Sequence, residues 1–317
     1  RTKNLATLFL IYVMASGSIL WATHEGFTES AISTSADGAR SVHAADVDGD
    51  GDMDVLSASY EGDKIAWYEN DGSESFTEHE ISTDADGAFS VYAVDVDGDG
   101  DMDVLSASYS DDKIAWYQND GSHGFTSFEF ASHVISTSAD GASSVHAVDV
   151  DDDGDMDVLS ASAYDDKIAW YENDGSESFT EHAISTSADG AKSVYAVDVD
   201  ADGDMDVLSA SQYDDKIAWY ENDGSESFTE HVISTLANGA KSVYAVDVDG
   251  DGDMDALSVG TYYPQVAWYE NDGSENFTQH VISTSVNDPG SVYAVDVDGD
   301  GDMDVLSASA ADDKIAW

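Results

Sequence analysis

The chain has no cysteine, so neither disulfides nor thiolate metal sites hold it together. It has only 2 prolines in 317 residues, and no twelve-residue window carries the apolar period of an amphipathic helix. Basic residues are scarce. Ten Lys and Arg stand against 67 Asp and Glu, a formal charge of -57. Phosphate binding needs clustered cations, so this balance argues against a nucleic-acid partner. It favours a soluble surface and cationic rather than anionic partners. Hydrophobic residues make up 42% of the chain, enough for a sizeable core and too many for wholesale disorder.

The first segment differs from the rest. Arg1-Thr-Lys-Asn4 is basic, Leu5–Leu20 is almost wholly apolar, and Ala15 and Gly17 are small residues placed for cleavage. Residues 1–22 therefore read as a signal peptide, or else as a degenerate strand segment of the repeat domain, since Ile19-Leu-Trp21 echoes a later Ile-Ala-Trp. The stretch is short and holds Ser16-Gly17-Ser18, so no stable membrane span is expected. Residues 23–317 form the repeat domain.

The repeats decide the fold. The stretch Asp46-Val-Asp-Gly-Asp-Gly-Asp-Met-Asp54 fits D-x-D-x-D-G-x-x-D, and the pattern starts again at Asp95, Asp149, Asp198, Asp247 and Asp296. Successive starts lie 49 residues apart, except for 54 between Asp95 and Asp149. One unit runs Ser90-Val-Tyr-Ala-Val-Asp-Val, the acidic loop, Val104–Ser108, Lys113–Tyr117, Asn119-Asp-Gly-Ser122, and a segment starting at Phe125. Short runs of Val, Ile, Tyr, Trp and Phe between turn residues are strand chemistry, and Asn-Asp-Gly is a hairpin signal. Four strands per unit predict an all-β protein: a β-propeller of four-stranded antiparallel blades. There are six blades as given, with seven possible in a longer parent chain. Phe27–Thr34 matches a fourth strand and is expected to complete the last unit, which stops at Lys314-Ile-Ala-Trp317, hiding two sheet edges. The recurrent Trp67, Trp116, Trp170, Trp219, Trp268 and Trp317 are expected to pack between blades.

The acidic loops carry the chemistry. Five carboxylates in nine residues repel one another unless a cation neutralises them. Hard oxygen donors at alternating positions suit Ca2+, about one per repeat and up to six. Side chains at positions one, three, five and nine can converge on one ion, and position seven adds its backbone carbonyl. In the first loop these are Asp46, Asp48, Asp50, Asp54 and, at seven, Asp52; in the second, Asp95, Asp97, Asp99, Asp103 and Asp101. The third loop has Asp149, Asp151, Asp153, Asp157 and Asp155, and the fourth has Asp198, Asp200, Asp202, Asp206 and Asp204. The fifth has Asp247, Asp249, Asp251, Asp255 and Asp253, and the sixth has Asp296, Asp298, Asp300, Asp304 and Asp302. Position twelve is Ser57 in the first unit and the flanks read as strand, so these are not EF-hands. Position four varies (Asp152, Ala201), where no ligand is needed, while the ligand positions keep their aspartates.

On these loops and this period, residues 27–317 resemble the FG-GAP/VCBS repeat family, which includes the integrin α-subunit propeller. The resemblance implies a secreted or cell-surface protein with a calcium-bound propeller, commonly of seven blades. It also implies roles in adhesion, in carbohydrate or protein binding, or as an accessory module. The Phe-Gly…Gly-Ala-Pro signature that names the family is not evident, and six units are present.

Catalysis requires a single distinctive constellation, whereas these units are nearly identical. No Ser-His-Asp arrangement, P-loop or zinc spacing appears. His79, His182, His231 and His280 sit in a Phe-Thr-Glu-His-like strand and are expected to be solvated, and Lys64, Lys113, Lys167, Lys216 and Lys314 to pair with local aspartates. The expected function is a non-enzymatic adhesion or binding module for an extracellular glycan or protein. A catalytic or accessory propeller of a secreted polysaccharide lyase or hydrolase is the alternative. The departures from repetition are the aromatic insertion His123–His133, Tyr262-Tyr-Pro-Gln265, and the sequon Asn276-Phe-Thr278.

Overall fold

The structure, a computed structural model, describes residues 30–73, 75–121 and 130–317. The expected signal segment, residues 1–22, lies outside the described residues, as does most of the aromatic insertion. Ile32–Trp317 form one compact unit. Its 23 described strands make six antiparallel sheets, each an up-and-down meander in chain order, the six blades of a propeller. No helix occurs among the described residues, and so none is long and apolar enough to cross a membrane.

Blade 4 shows the unit. Its strands are Ala191–Val197, Asp206–Ser211, Lys216–Asn222 and Phe228–Ser234. The second strand, Asp-Val-Leu-Ser-Ala-Ser, is buried along its whole length, because both faces of a blade's middle lie against neighbouring blades. The outer strand alternates exposed and half-buried residues, as an edge should. In blade 2 the described outer strand is Ala131–Ser136; Phe125, where that segment was expected to start, lies outside the described residues.

The core lies between blades. Leu56, Ala58, Ile65 and Trp67 of blade 1 pack against Ala88, Val91, Val104 and Tyr117 of blade 2, and the same pairing recurs onward. No blade can bury its apolar faces alone, so the interface is the unit of stability. Trp67, Trp116, Trp170 and Trp219 are at most 1% exposed, as expected for inter-blade packing, whereas Trp317 is 57% exposed. Each of the buried four stacks on the histidine of its own outer strand, with centroids 4.6 Å apart for Trp67–His79 and Trp219–His231.

The inner strands (Ala39–Ala45, Ala88–Val94, Ala142–Val148, Ala191–Val197, Ala240–Val246, Pro289–Val295) pack on one another in chain order. Ser41, Ser90, Ser144, Ser193 and Ser242 each accept the backbone N–H of a valine in the next blade. His43, Tyr92, His146, Tyr195, Tyr244 and Tyr293 follow one another along the channel wall, with centroids 4.7–4.9 Å apart. Sheet six has three strands among the described residues. The expected fourth, Phe27–Thr34, falls partly outside them, and Ser30–Thr34 is not strand. Val42 is 72% exposed where its counterparts Val91, Val145, Val194, Val243 and Val292 are 4–5% exposed. Among the described residues, that flank of blade 1 lacks the packing every other blade receives.

Candidate metal centre

All six acidic loops join an inner strand to the second strand, so they crowd one face of the propeller. Within a loop the aspartates cap the turn. In the first, Asp46 Oδ2 accepts the N–H of Gly51 at 3.0 Å, Asp48 Oδ1 that of Asp50 at 3.2 Å, and Asp50 Oδ1 that of Asp52 at 2.9 Å. Their remaining oxygens converge. In blades 1, 2 and 5, one oxygen from each of positions one, three and five lies within 4.8 Å of the others (Asp46, Asp48, Asp50; Asp95, Asp97, Asp99; Asp247, Asp249, Asp251). In blades 3 and 4 the trio is formed by positions one, three and nine: Asp149, Asp151, Asp157 and Asp198, Asp200, Asp206.

Position nine is also a structural residue. Asp54, Asp103, Asp157, Asp206 and Asp255 are 0–1% exposed and open the second strand. One oxygen of Asp103 accepts the N–H of Val96 at 3.0 Å, and the other that of Asn119 at 2.7 Å. Burial pushes Asp103 and Asp206 up to about 7 and Asp157 up to about 6, against the pull of those N–H groups. Burial, with neighbouring carboxylates adding to it, also raises Asp48, Asp97, Asp151 and Asp200.

Position seven points elsewhere. Asp52, Asp101, Asp155, Asp204 and Asp253 lean over Gly72, Gly121, Gly175, Gly224 and Gly273 of the Asn-Asp-Gly turn, where any Cβ would collide with the carboxylate. Their side chains thus leave the loop, which is compatible with only the backbone at this position facing an ion.

Two features were missed in sequence. Position four has a left-handed backbone, with φ of 70° at Gly49, 60° at Asp152 and 63° at Ala201, so its variation is not neutral. The asparagine of Asn-Asp-Gly is a stitch between blades. Asn119 Nδ2 donates to the carbonyl of Val47 in the preceding blade's acidic loop, at 3.1 Å, and Asn173, Asn222 and Asn271 reach Val96, Val150 and Val199 likewise. The repetition of that asparagine was the available signal; it read as turn chemistry alone.

A cation fits this donor set. Asp46 Oδ1, Asp149 Oδ1 and Asp198 Oδ1 are buried without a hydrogen-bond partner, and each belongs to one of the converging trios. Buried carboxylate oxygens left unpaired are costly unless a positive charge meets them.

The other singled-out residues are structural. Each of His79, His182, His231 and His280 is 2.6–2.7 Å from a glutamate (Glu69, Glu172, Glu221, Glu270) while stacked on its tryptophan, so these side chains are engaged as well as partly solvated. Lys113, Lys167, Lys216 and Lys314 pair with Asp111, Asp165, Asp214 and Asp312 as expected, whereas Lys64 pairs with Glu78. Lys167 and Lys216 also bind Glu181 and Glu230. Asn276 of the sequon turns its amide into its own turn, onto Asp272 and the Ser274 carbonyl.

Comparison with curated proteins gives no match. Among solved structures the chain is similar to an Agrocybe aegerita lectin described as recognising non-reducing terminal N-acetylglucosamine. The TM-score is 0.58 at 16% identity, over 84% of this chain and 73% of that one. It is also similar to BBS1N in complex with ARL6DN (TM-score 0.57, 13% identity, 84% and 75% covered). A Lactobacillus plantarum protein gives a TM-score of 0.55 at 15% identity, with 88% and 83% covered. At these identities the likeness is one of fold. The pattern of the FG-GAP-like repeat matches residues 8–57, 46–106, 95–160, 149–209, 198–258 and 247–307, nearly the whole sequence. With its acidic hairpin loops and six blades, the chain belongs to the FG-GAP-like repeat family.

Proposed function

We propose that this chain is a calcium-stabilised binding module of a secreted or cell-surface protein, taking an extracellular glycan or protein without turning it over. The observation that carries the reading is the buried, unpartnered oxygen of Asp46, Asp149 and Asp198 inside loops stitched to the next blade. In each loop the side chains at positions one, three and five, with position nine where it joins them and the carbonyl at seven, would hold the ion. Bound calcium supplies the positive charge that lets the carboxylates stay ionised together. The protein's own contribution is to fix the donors by Asx turns and to tie the first four loops through asparagine to the next blade. Calcium therefore supports the ring rather than reacting.

Nearly identical units favour binding over catalysis, because repetition offers no single centre. The lectin among the structural relatives makes a glycan the first ligand class to try. The test is a glycan array with calcium and with chelator, followed by product analysis of every glycan retained. Calcium-dependent retention with intact glycan supports the reading. Release of cleaved product, or retention and thermal stability indifferent to chelator, would overturn it.

A further inference from the structure

The face opposite the acidic loops holds all the described cations, among acidic residues that still outnumber them. Five of its lysines occupy the repeated position before Ile-Ala-Trp or its equivalent and are ion-paired. The remaining described cations, Arg40, Lys192 and Lys241, share one repeat position, the second residue of the inner strand. In every blade that residue is the extra one of a β-bulge: the register slips between Ala39 and Ser41, Ala191 and Ser193, and Ala240 and Ser242. A bulge releases its side chain from the alternation of the strand and re-aims it. Here five of the six bulged residues, with Ala308, Ser309 and Ile315 on the flank of the sixth blade, line a cavity of 690 Å³, within the size range of small-ligand sites.

The cavity lining holds Arg40, Lys192, Lys241 and Lys314 against only Asp288 and Asp313, in a chain where acids outnumber bases 67 to 10. Lys241 meets Asp288 at 2.7 Å; Arg40 and Lys192 have no ion pair among the described residues. Lys192 lies near enough to Lys241 for its ammonium to be held below the usual range, by burial first and by that second positive charge next. An aromatic cluster lies beside the cations, and its Phe89 belongs to the cavity lining. Tyr60, Phe89, Tyr109 and Tyr164 run across blades 1–3 with centroids 5.1–6.3 Å apart. The Arg40 guanidinium sits 5.2 Å from the Tyr60 ring, and Lys192 Nζ 5.2 Å from the Tyr109 ring. The position is cationic in three blades and Phe89, Ser143 and Gly290 in the others, so it is one place where six near-identical units differ in chemistry.

We propose that this cavity is a binding site for a carboxylate-bearing saccharide, with Lys192, Lys241 and Arg40 taking the carboxylate and Phe89, the aromatic residue of the lining, meeting an apolar sugar face. The proposal rests on the ligand-binding reading above and not on its calcium component. Charge-assisted bonds to a carboxylate need fixed cations, and a pyranose ring face stacks on aromatic rings. The overall charge of the chain predicts cationic partners, but local field and shape select the ligand, and here the local lining is positive.

Trigalacturonic acid is the probe, titrated calorimetrically into the calcium-loaded protein, with its methyl ester as the neutral control. Binding of the acid, absence of binding by the ester, and at least about tenfold weakening in Lys192→Gln/Lys241→Gln would support the site. Arg40→Gln serves as a second, exposed substitution, and melting curves establish that each variant is folded. Equal affinity of acid and ester, equal affinity of the double variant, or no binding of the acid would overturn it. Loss of acid binding in Asp149→Asn with the lysine variant unaffected would also overturn it, since the sugar would then be bridged by calcium at the far face. Neutral glycans bound on the array while the acid is not would overturn this site and leave the binding-module reading standing.

Discussion

The carboxylate of Asp103 accepts the backbone N–H of Asn119 at 2.7 Å, and the Asn119 side chain in turn donates to the Val47 carbonyl of the neighbouring blade at 3.1 Å. One buried acid thus joins its own acidic loop, the Asn-Asp-Gly turn of its blade and the loop of the blade before. Asp103→Ala leaves the N–H groups of Val96 and Asn119 without an acceptor in a buried place. Urea unfolding should show a loss of about 2–5 kcal/mol; a loss under about 1 kcal/mol would contradict the role assigned to it.

Calcium should raise the melting temperature in proportion to the logarithm of its concentration. At tenfold excess over the dissociation constant each site adds about 1.4 kcal/mol, and six independent sites about 8 kcal/mol. Asp149→Asn keeps a side-chain acceptor for Gly154 but weakens one loop, and should remove about a sixth of the calcium-dependent gain. Differential scanning calorimetry in calcium and in chelator measures both. Identical curves in the two conditions would refute the structural role of the ion.

Ala201 adopts φ of 63° where four other loops place glycine. Ala201→Gly should therefore stabilise the protein by up to about 1 kcal/mol, the strain relieved being partly offset by backbone entropy. Gly203→Ala, at φ of 104°, should destabilise it by more than about 1 kcal/mol. Urea midpoints that do not move in opposite directions would refute the assignment of strain.

His146 lies in the channel wall between Tyr92 and Tyr195, and burial, with the His43 charge adding to it, pushes its pKa down to about 4. Between about pH 4 and pH 6.5 the unfolded chain then binds the extra proton, so this residue's share of stability is full above that window and is lost as the pH falls through it. Asp103, Asp157 and Asp206, raised toward 6–7, act with the opposite sign. The comparison therefore has to be with His146→Tyr, the residue four other blades carry here. The stability of the variant relative to the parent should grow as the pH is lowered from about 7 to about 5. Parallel urea-stability profiles would show that His146 is free to protonate in the folded state.

The strand pattern was legible because apolar runs and turn residues are local signals, repeated with little change. The acidic loops were legible for the same reason: Asx turns and the convergence of their carboxylates both follow from side chains a few residues apart. The bulge at Arg40, Lys192 and Lys241 was not legible. A strand with one extra residue has the same composition as one without, and only pairing with the second strand shows which residue is displaced. Nor could the alternation of Phe-Thr-Glu-His show that each histidine lies on a tryptophan and faces a glutamate, since both partners belong to the adjacent strand.

By itself, the sequence determined the all-β unit, its six repetitions and the donor set of each loop, because these depend on near neighbours in the chain. Only the tertiary structure decided that position nine is a buried tie as well as a donor, and that the Asn-Asp-Gly asparagine stitches one blade to the next. Only the tertiary structure, too, gathered three of the few cations in a strongly acidic chain around one cavity. The physical reason is that burial and convergence come from packing between strands and between blades, and a repeat fixes what each unit contains but not what six of them bring together at the axis.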